Sequence, residues 1–223
     1  MIKLISDDFR MIQVLSRFGI HMGFGDESVK EVCEKNKVDF STFLAIVNYT
    51  TGEVSTEEIL KKISLKSLLH YLKQSHIYFL EFYLPSIRRK LLDGIKLRDS
   101  DVSFLIIKMF DEYVKEISSH MQEEEMELFP YVISILKGEN FQDSRTSTYS
   151  EHHDNVTSKL KELKNIIIKY CPADADVNLL NAALYDIYRC EEELNTHCQI
   201  EDNILIPSIS LNKKLRENNY GQK

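Results

Sequence analysis

The chain has 223 residues, 43% of them hydrophobic and 28% charged, and a formal charge of -7, enough for one domain with a full apolar core, or one such domain plus a small appendage. The acidic balance argues against a general nucleic-acid surface, and no apolar run approaches the ~20 residues that cross a bilayer. The opening MIKLISDDFRMIQ carries Asp7 and Asp8 and lacks the unbroken apolar core of a secretion signal, so the expected location is cytoplasmic.

The first 60 residues read as short helices at about 8–18, 27–36 and 39–50. Asp26 or Ser28 is placed to cap the second, and Gly19, Gly23 and Gly25 leave the loop GIHMGFGDES before it free to turn sharply. The stretch SVKEVCEKNKVDFSTFLAIVN has the look of a helix-turn-helix, but Glu27, Glu31, Glu34 and Asp39 offset Lys30, Lys35 and Lys37. Phosphate contact is therefore poorly supported, and a protein-interaction module fits better. A linker near residues 50–62 separates this small helical domain, residues 1–60, from the remainder, residues 61–223, and LKKISLKS at 60–67 reads as a solvated linker or helix start.

Beyond the linker, apolar residues recur at spacings of three and four. The pattern predicts long helices at about 65–93, 100–137, 147–170 and 176–212, with breaks at Gly94, at 138–147 and at 171–174. Four long helices with short connections make an all-α, antiparallel four-helix bundle. Pro130 and Pro207 lack the amide proton that a helix interior needs and are expected to bend or end their helices. Cys33, Cys171, Cys190 and Cys198 form no CxxC pair, and the plain reading is buried or idle thiols.

Two segments repeat one skeleton. SHMQEEEMELFPY at 119–131 and THCQIEDNILIPS at 196–208 align His120 with His197, Glu124 with Glu201, Leu128 with Leu205 and Pro130 with Pro207, all 77 residues apart. Residues i and i+4 share a helix face, so each pair presents an imidazole and a carboxylate in one direction. A bundle of two similar hairpins should then supply one further residue 44 positions before each histidine. Those positions hold His76 and His153.

The helical faces agree. Val156, Leu160, Leu163 and Ile167 continue the stripe of His153, and Leu69, Leu72, Phe79, Leu80 and Tyr83 surround His76. His152 points about 100° away from His153, His70 falls off the His76 face, and both are expected outside the site. His21 reads as an exposed loop histidine. Six such ligands are too many for a closed structural zinc. Two metals that each take two histidines and share both carboxylates use the set without remainder. An oxide or hydroxide bridge would leave a place for a small ligand. Iron suits imidazole and carboxylate, with manganese or zinc as other occupants. The competing readings are solvated surface pairs, or a buried polar network without metal.

HxxxE followed by LFP, its repeat as HxxxE followed by LIP, and one histidine on each intervening helix resemble the haemerythrin-like proteins. Within them, the chain is most similar to the bacterial di-iron proteins associated with repair of iron centres after oxidative or nitrosative damage. The resemblance implies a short N-terminal helical domain before the bundle and two iron ions, oxo- or hydroxo-bridged. It implies that His76, His120, Glu124, His153, His197 and Glu201 are the ligands, with Glu124 and Glu201 bridging. One departure stands out: that group's Cys-Cys-Gly-Gly turn is replaced here by Met22 and Gly23 within IHMGFGDES, and Cys33 is not a substitute by position.

The function so implied is a stress protein that protects or repairs iron-sulfur or other iron centres, with oxygen or nitric oxide as the small ligand, damaged iron-sulfur proteins as partners and a homodimer as a possible assembly. Tyr113 and Tyr78 are candidate proton donors. The alternatives are a gas sensor or carrier read out through the N-terminal domain or a partner, and a metal store.

Overall fold

The computed structural model describes residues 1–95, 101–139, 159–172 and 174–220, with side chains to residue 213, and every regular element among them is helical. In chain order these are α1 (Ile2–Asp7), α2 (Met11–Arg17), α3 (Val29–Lys35), α4 (Phe40–Thr50), α5 (Glu57–Leu60), α6 (Leu65–Ile77), α7 (Leu84–Ile95), α8 (Asp101–Glu123), α9 (Phe129–Lys137), α10 (159–170), α11 (Val177–Ile200) and α12 (Ile206–Tyr220). None of the described helices is long and apolar enough to cross a membrane.

The chain forms two compact units. One contains Met1–Ser75 with the described parts of Phe129–Gln142 and Gln199–Lys223. Local chemistry sets its helix boundaries. The expected helix over 8–18 is α2, which starts only at Met11, and α1 precedes it as a further short helix, because Asp8 leaves helical geometry at φ -149° and its carboxylate accepts from the Arg10 backbone N–H at 2.9 Å. The same carboxylate pairs with the Arg10 guanidinium, which holds its pKa below the usual range. Ser28 caps α3 in a reciprocal box with Glu31, at 3.3 Å and 2.8 Å. Asp39 caps α4 by accepting from the Thr42 N–H at 2.8 Å. Each such cap contributes about 1 kcal/mol. Phe18 then packs its ring against Phe43 and Tyr71, with centroids 5.4 Å and 4.9 Å away.

The second unit contains the described parts of His76–Leu128 and Asp143–Cys198. Phe79, Ile87 and Leu91, then Ile106, Phe110 and Ile117, then Leu160, Leu163 and Ile167, then Ala183, Ile187 and Leu194 close one apolar core from four helical runs. Three of the stripe residues expected beside His153 are in this core, while Val156 lies outside the described residues. Burying each large side chain contributes about 1.5–3 kcal/mol. Polar ties join the runs at the rim: Arg88 grips Asp111 with two hydrogen bonds at 2.7 Å and 2.9 Å, Lys90 meets Asp186, and Lys159 meets Glu116. Buried Lys164 pairs with Glu191 and sits over the Tyr188 ring, 4.1 Å from its centroid.

Gly94, the expected helix break, is the penultimate residue of α7, which runs to Ile95 before residues 96–100 that lie outside the described residues. It is buried inside α7, and its carbonyl accepts from the Asp176 N–H at 2.8 Å. A Cβ there would meet Leu180 Cδ2 at 3.0 Å and the Leu180 backbone N at 3.2 Å, so the glycine serves close helix packing. Gly94→Ala is expected to lower the melting temperature. Overpacking costs about 1–3 kcal/mol, against at most ~1 kcal/mol of improved helix propensity. A melt no lower than the parent's would show that Leu180 yields.

Of the two outcomes expected at Pro130 and Pro207, a bend or an end, neither helix ends there. A π-helical turn precedes each: Glu124–Leu128 before Phe129-Pro130, and Glu201–Leu205 before Ile206-Pro207. A third, Tyr78–Tyr83, precedes Leu84-Pro85. Proline cannot donate to the carbonyl four residues back, and its ring collides with it. That carbonyl belongs to Glu81, Met126 or Asn203, in each case inside the widened turn. The i to i+5 pattern thus accommodates the proline and the chain stays helical.

Candidate metal centre

The π turns sit beside the predicted ligands. His76 is the penultimate residue of α6, His120 is in the last turn of α8, and Glu124 opens the π turn that follows. His197 is in the last turn of α11, and Glu201 opens the next π turn, one helical turn later on the same run. All five are buried, from 1% exposure at His76 and Glu124 to 9% at His120. His70 and His21 are exposed, as expected of residues outside the site. His153 and His152 lie outside the described residues.

His76 Nε2 lies 3.2 Å from His197 Nε2 and 3.3 Å from Glu124 Oε2. The other oxygen, Glu124 Oε1, lies 3.1 Å from His120 Nε2. One carboxylate therefore sends its two oxygens toward two different imidazoles. His76, Glu124 and His197 each offer a ligand atom, and these atoms are within 4.8 Å of one another. Donors held ~2.1 Å from one cation at tetrahedral to octahedral angles lie about 3.0–3.4 Å apart, and the observed separations match. Burial of a carboxylate costs several kcal/mol unless an opposite charge and hydrogen bonds offset it, and a cation between carboxylate and imidazole supplies that charge. The donor set thus fits a metal.

Two contacts escaped sequence reasoning. His76 Nδ1 lies 3.1 Å from Glu125 Oε1, so Glu125 can hold the Nδ1 proton and leave the Nε2 lone pair facing the cluster. Cys198 Sγ and a ring nitrogen of His120 also lie within 4.8 Å. The other thiols differ: Cys171 is exposed, whereas Cys33 is buried and its pKa is pushed up to about 11, first by desolvation and then by Asp39 and Glu34. A thiol so neutral is a poor nucleophile and metal donor, so Cys33 does not supply what the turn at Met22 and Gly23 lacks. Tyr113, two turns before His120, is 1% exposed, and burial holds its hydroxyl pKa well above the ordinary value. Tyr78 is only half-buried and stacks beside Tyr83, with centroids 5.3 Å apart.

An all-helical chain that converges imidazoles and a carboxylate in a buried cluster is a metal-binding protein. Residues 67–209 match the Hemerythrin HHE cation binding domain, and the chain belongs to that family. A search of curated proteins gives no match.

Proposed function

We propose that the cluster holds a carboxylate-bridged pair of iron ions, and that the protein acts in the response to oxidative or nitrosative stress by protecting or repairing iron-sulfur or other iron centres. The observation that carries the pair is Glu124, whose two oxygens turn to His76 at 3.3 Å and to His120 at 3.1 Å. A carboxylate divided in this way suits two cations better than one. Membership of a cation-binding family supports the metal, and a mixed imidazole and carboxylate set suits iron.

In this reading His76 and His197 serve one position, and His120 serves the other with His153 as its expected second imidazole. Glu124 would bridge the two, with Glu201 as the expected second bridging carboxylate. An iron pair so held would supply a redox-active centre open to a small gas, oxygen or nitric oxide. The protein's contribution would be buried donors, a His76 ring oriented by Glu125, and a carboxylate able to move between bridging and terminal binding. The resemblance to the iron-centre repair group supports repair over storage.

The test is to load the protein anaerobically with iron, expose it to nitric oxide or oxygen, and offer a cluster-free iron-sulfur protein. Iron transfer with recovery of the acceptor's activity is the expected result. Reversible gas uptake with all iron retained and no recovery would favour a sensor or carrier instead.

A further inference from the structure

We propose that Cys198 is a thiolate ligand of the metal position on the His120 side of Glu124, making this centre a nitrogen, oxygen and sulfur site. The assignment rests on the two-ion reading above. His197 and Cys198 are consecutive on α11, so their side chains leave the helix about 100° apart. His197 meets His76, Nε2 to Nε2, at 3.2 Å. Cys198 turns instead toward His120, with Sγ within 4.8 Å of a ring nitrogen. The helix thus delivers one donor to each side of the Glu124 carboxylate.

Two further observations bear on the sulfur. Cys198 is 8% exposed, shielded from bulk oxidants and alkylating agents. A disulfide does not account for it: Cys190 is eight residues earlier on the same helix, ~12 Å along the axis, beyond the Cα separation that a disulfide spans. On binding, the S–H proton leaves to solvent as the sulfur-metal bond forms. A soft donor on one side would make the two positions unequal, with sulfur favouring a softer or more reduced ion there.

The test uses the full chain loaded anaerobically with Co(II), a spectroscopic probe of thiolate ligation. A near-ultraviolet sulfur-to-cobalt charge-transfer band is expected in the parent and in Cys190→Ser, and lost in Cys198→Ser. X-ray absorption fine structure of the parent alone, which needs no variant, should show one sulfur scatterer at ~2.3 Å. Two bound metals with only nitrogen and oxygen scatterers, or a band that survives in Cys198→Ser, would overturn the thiolate and leave the two-ion reading standing. A parent that binds no metal would overturn both.

Discussion

Glu124→Ala will lose the metal pair while keeping its helices. The carboxylate is 1% exposed and stands between His76 and His120, at 3.3 Å and 3.1 Å. Alanine removes the carboxylate that links the two positions and takes one anionic donor from each of them. Because residues that merely orient a ligand are worth about 10–100-fold in metal affinity, loss of this ligand should exceed 100-fold. Far-ultraviolet circular dichroism should be nearly unchanged, since the apolar core of Phe79, Phe110, Leu163 and Leu194 does not depend on the carboxylate. Elemental analysis after desalting reads the result. Undiminished metal in Glu124→Ala would show that the bridging role is wrong.

The second large effect is expected at Glu125. Its Oε1 lies 3.1 Å from His76 Nδ1, and its side chain is 32% exposed, so it sits at the rim of the cluster. With the Nδ1 proton held there, His76 presents Nε2 as a donor; without it the ring can turn or take the other tautomer. Glu125→Ala is expected to weaken metal binding about 10–100-fold in a chelator competition titration. Glu125→Gln, whose amide oxygen still accepts the proton, should restore most of that loss. Equal affinity in all three proteins would reduce Glu125 to a surface glutamate. Weakening in both variants alike would assign the effect to charge rather than orientation.

How much of this was legible in the sequence differs from element to element. The apolar spacing along 65–93 marks α6 and α7 because one face of those helices meets the core, and spacing records faces. Ser28, one of the two cap candidates read for α3, proves to be the cap because capping is a contact over three residues. The i, i+4 pairs and the 44-residue offset picked out His76, His120, Glu124, His197 and Glu201, all of which are buried. His153 came from the same offset and lies outside the described residues.

What escaped depends on neighbours far along the chain. Gly94 stands near the end of α7 as read, but its role in close packing shows only when Leu180 is seen pressed against it. The prolines look like breakers because a wider preceding turn leaves no periodic mark. Pro85 went unmatched with Pro130 and Pro207, since its spacing from His76 is nine residues rather than ten. Glu125 was hidden in the run EEEMEL, where composition cannot say which carboxylate reaches another helix. Cys198 was passed over because a search for paired cysteines misses a sulfur whose neighbour is a histidine 78 residues earlier.

The central claim is a pair of irons in one buried cluster. Iron content per chain, measured on protein loaded anaerobically and then oxidised, together with its Mössbauer spectrum in an applied field, tests it most directly. About two irons per chain in a magnetically coupled pair is the predicted result; a single uncoupled iron, or none, would contradict it.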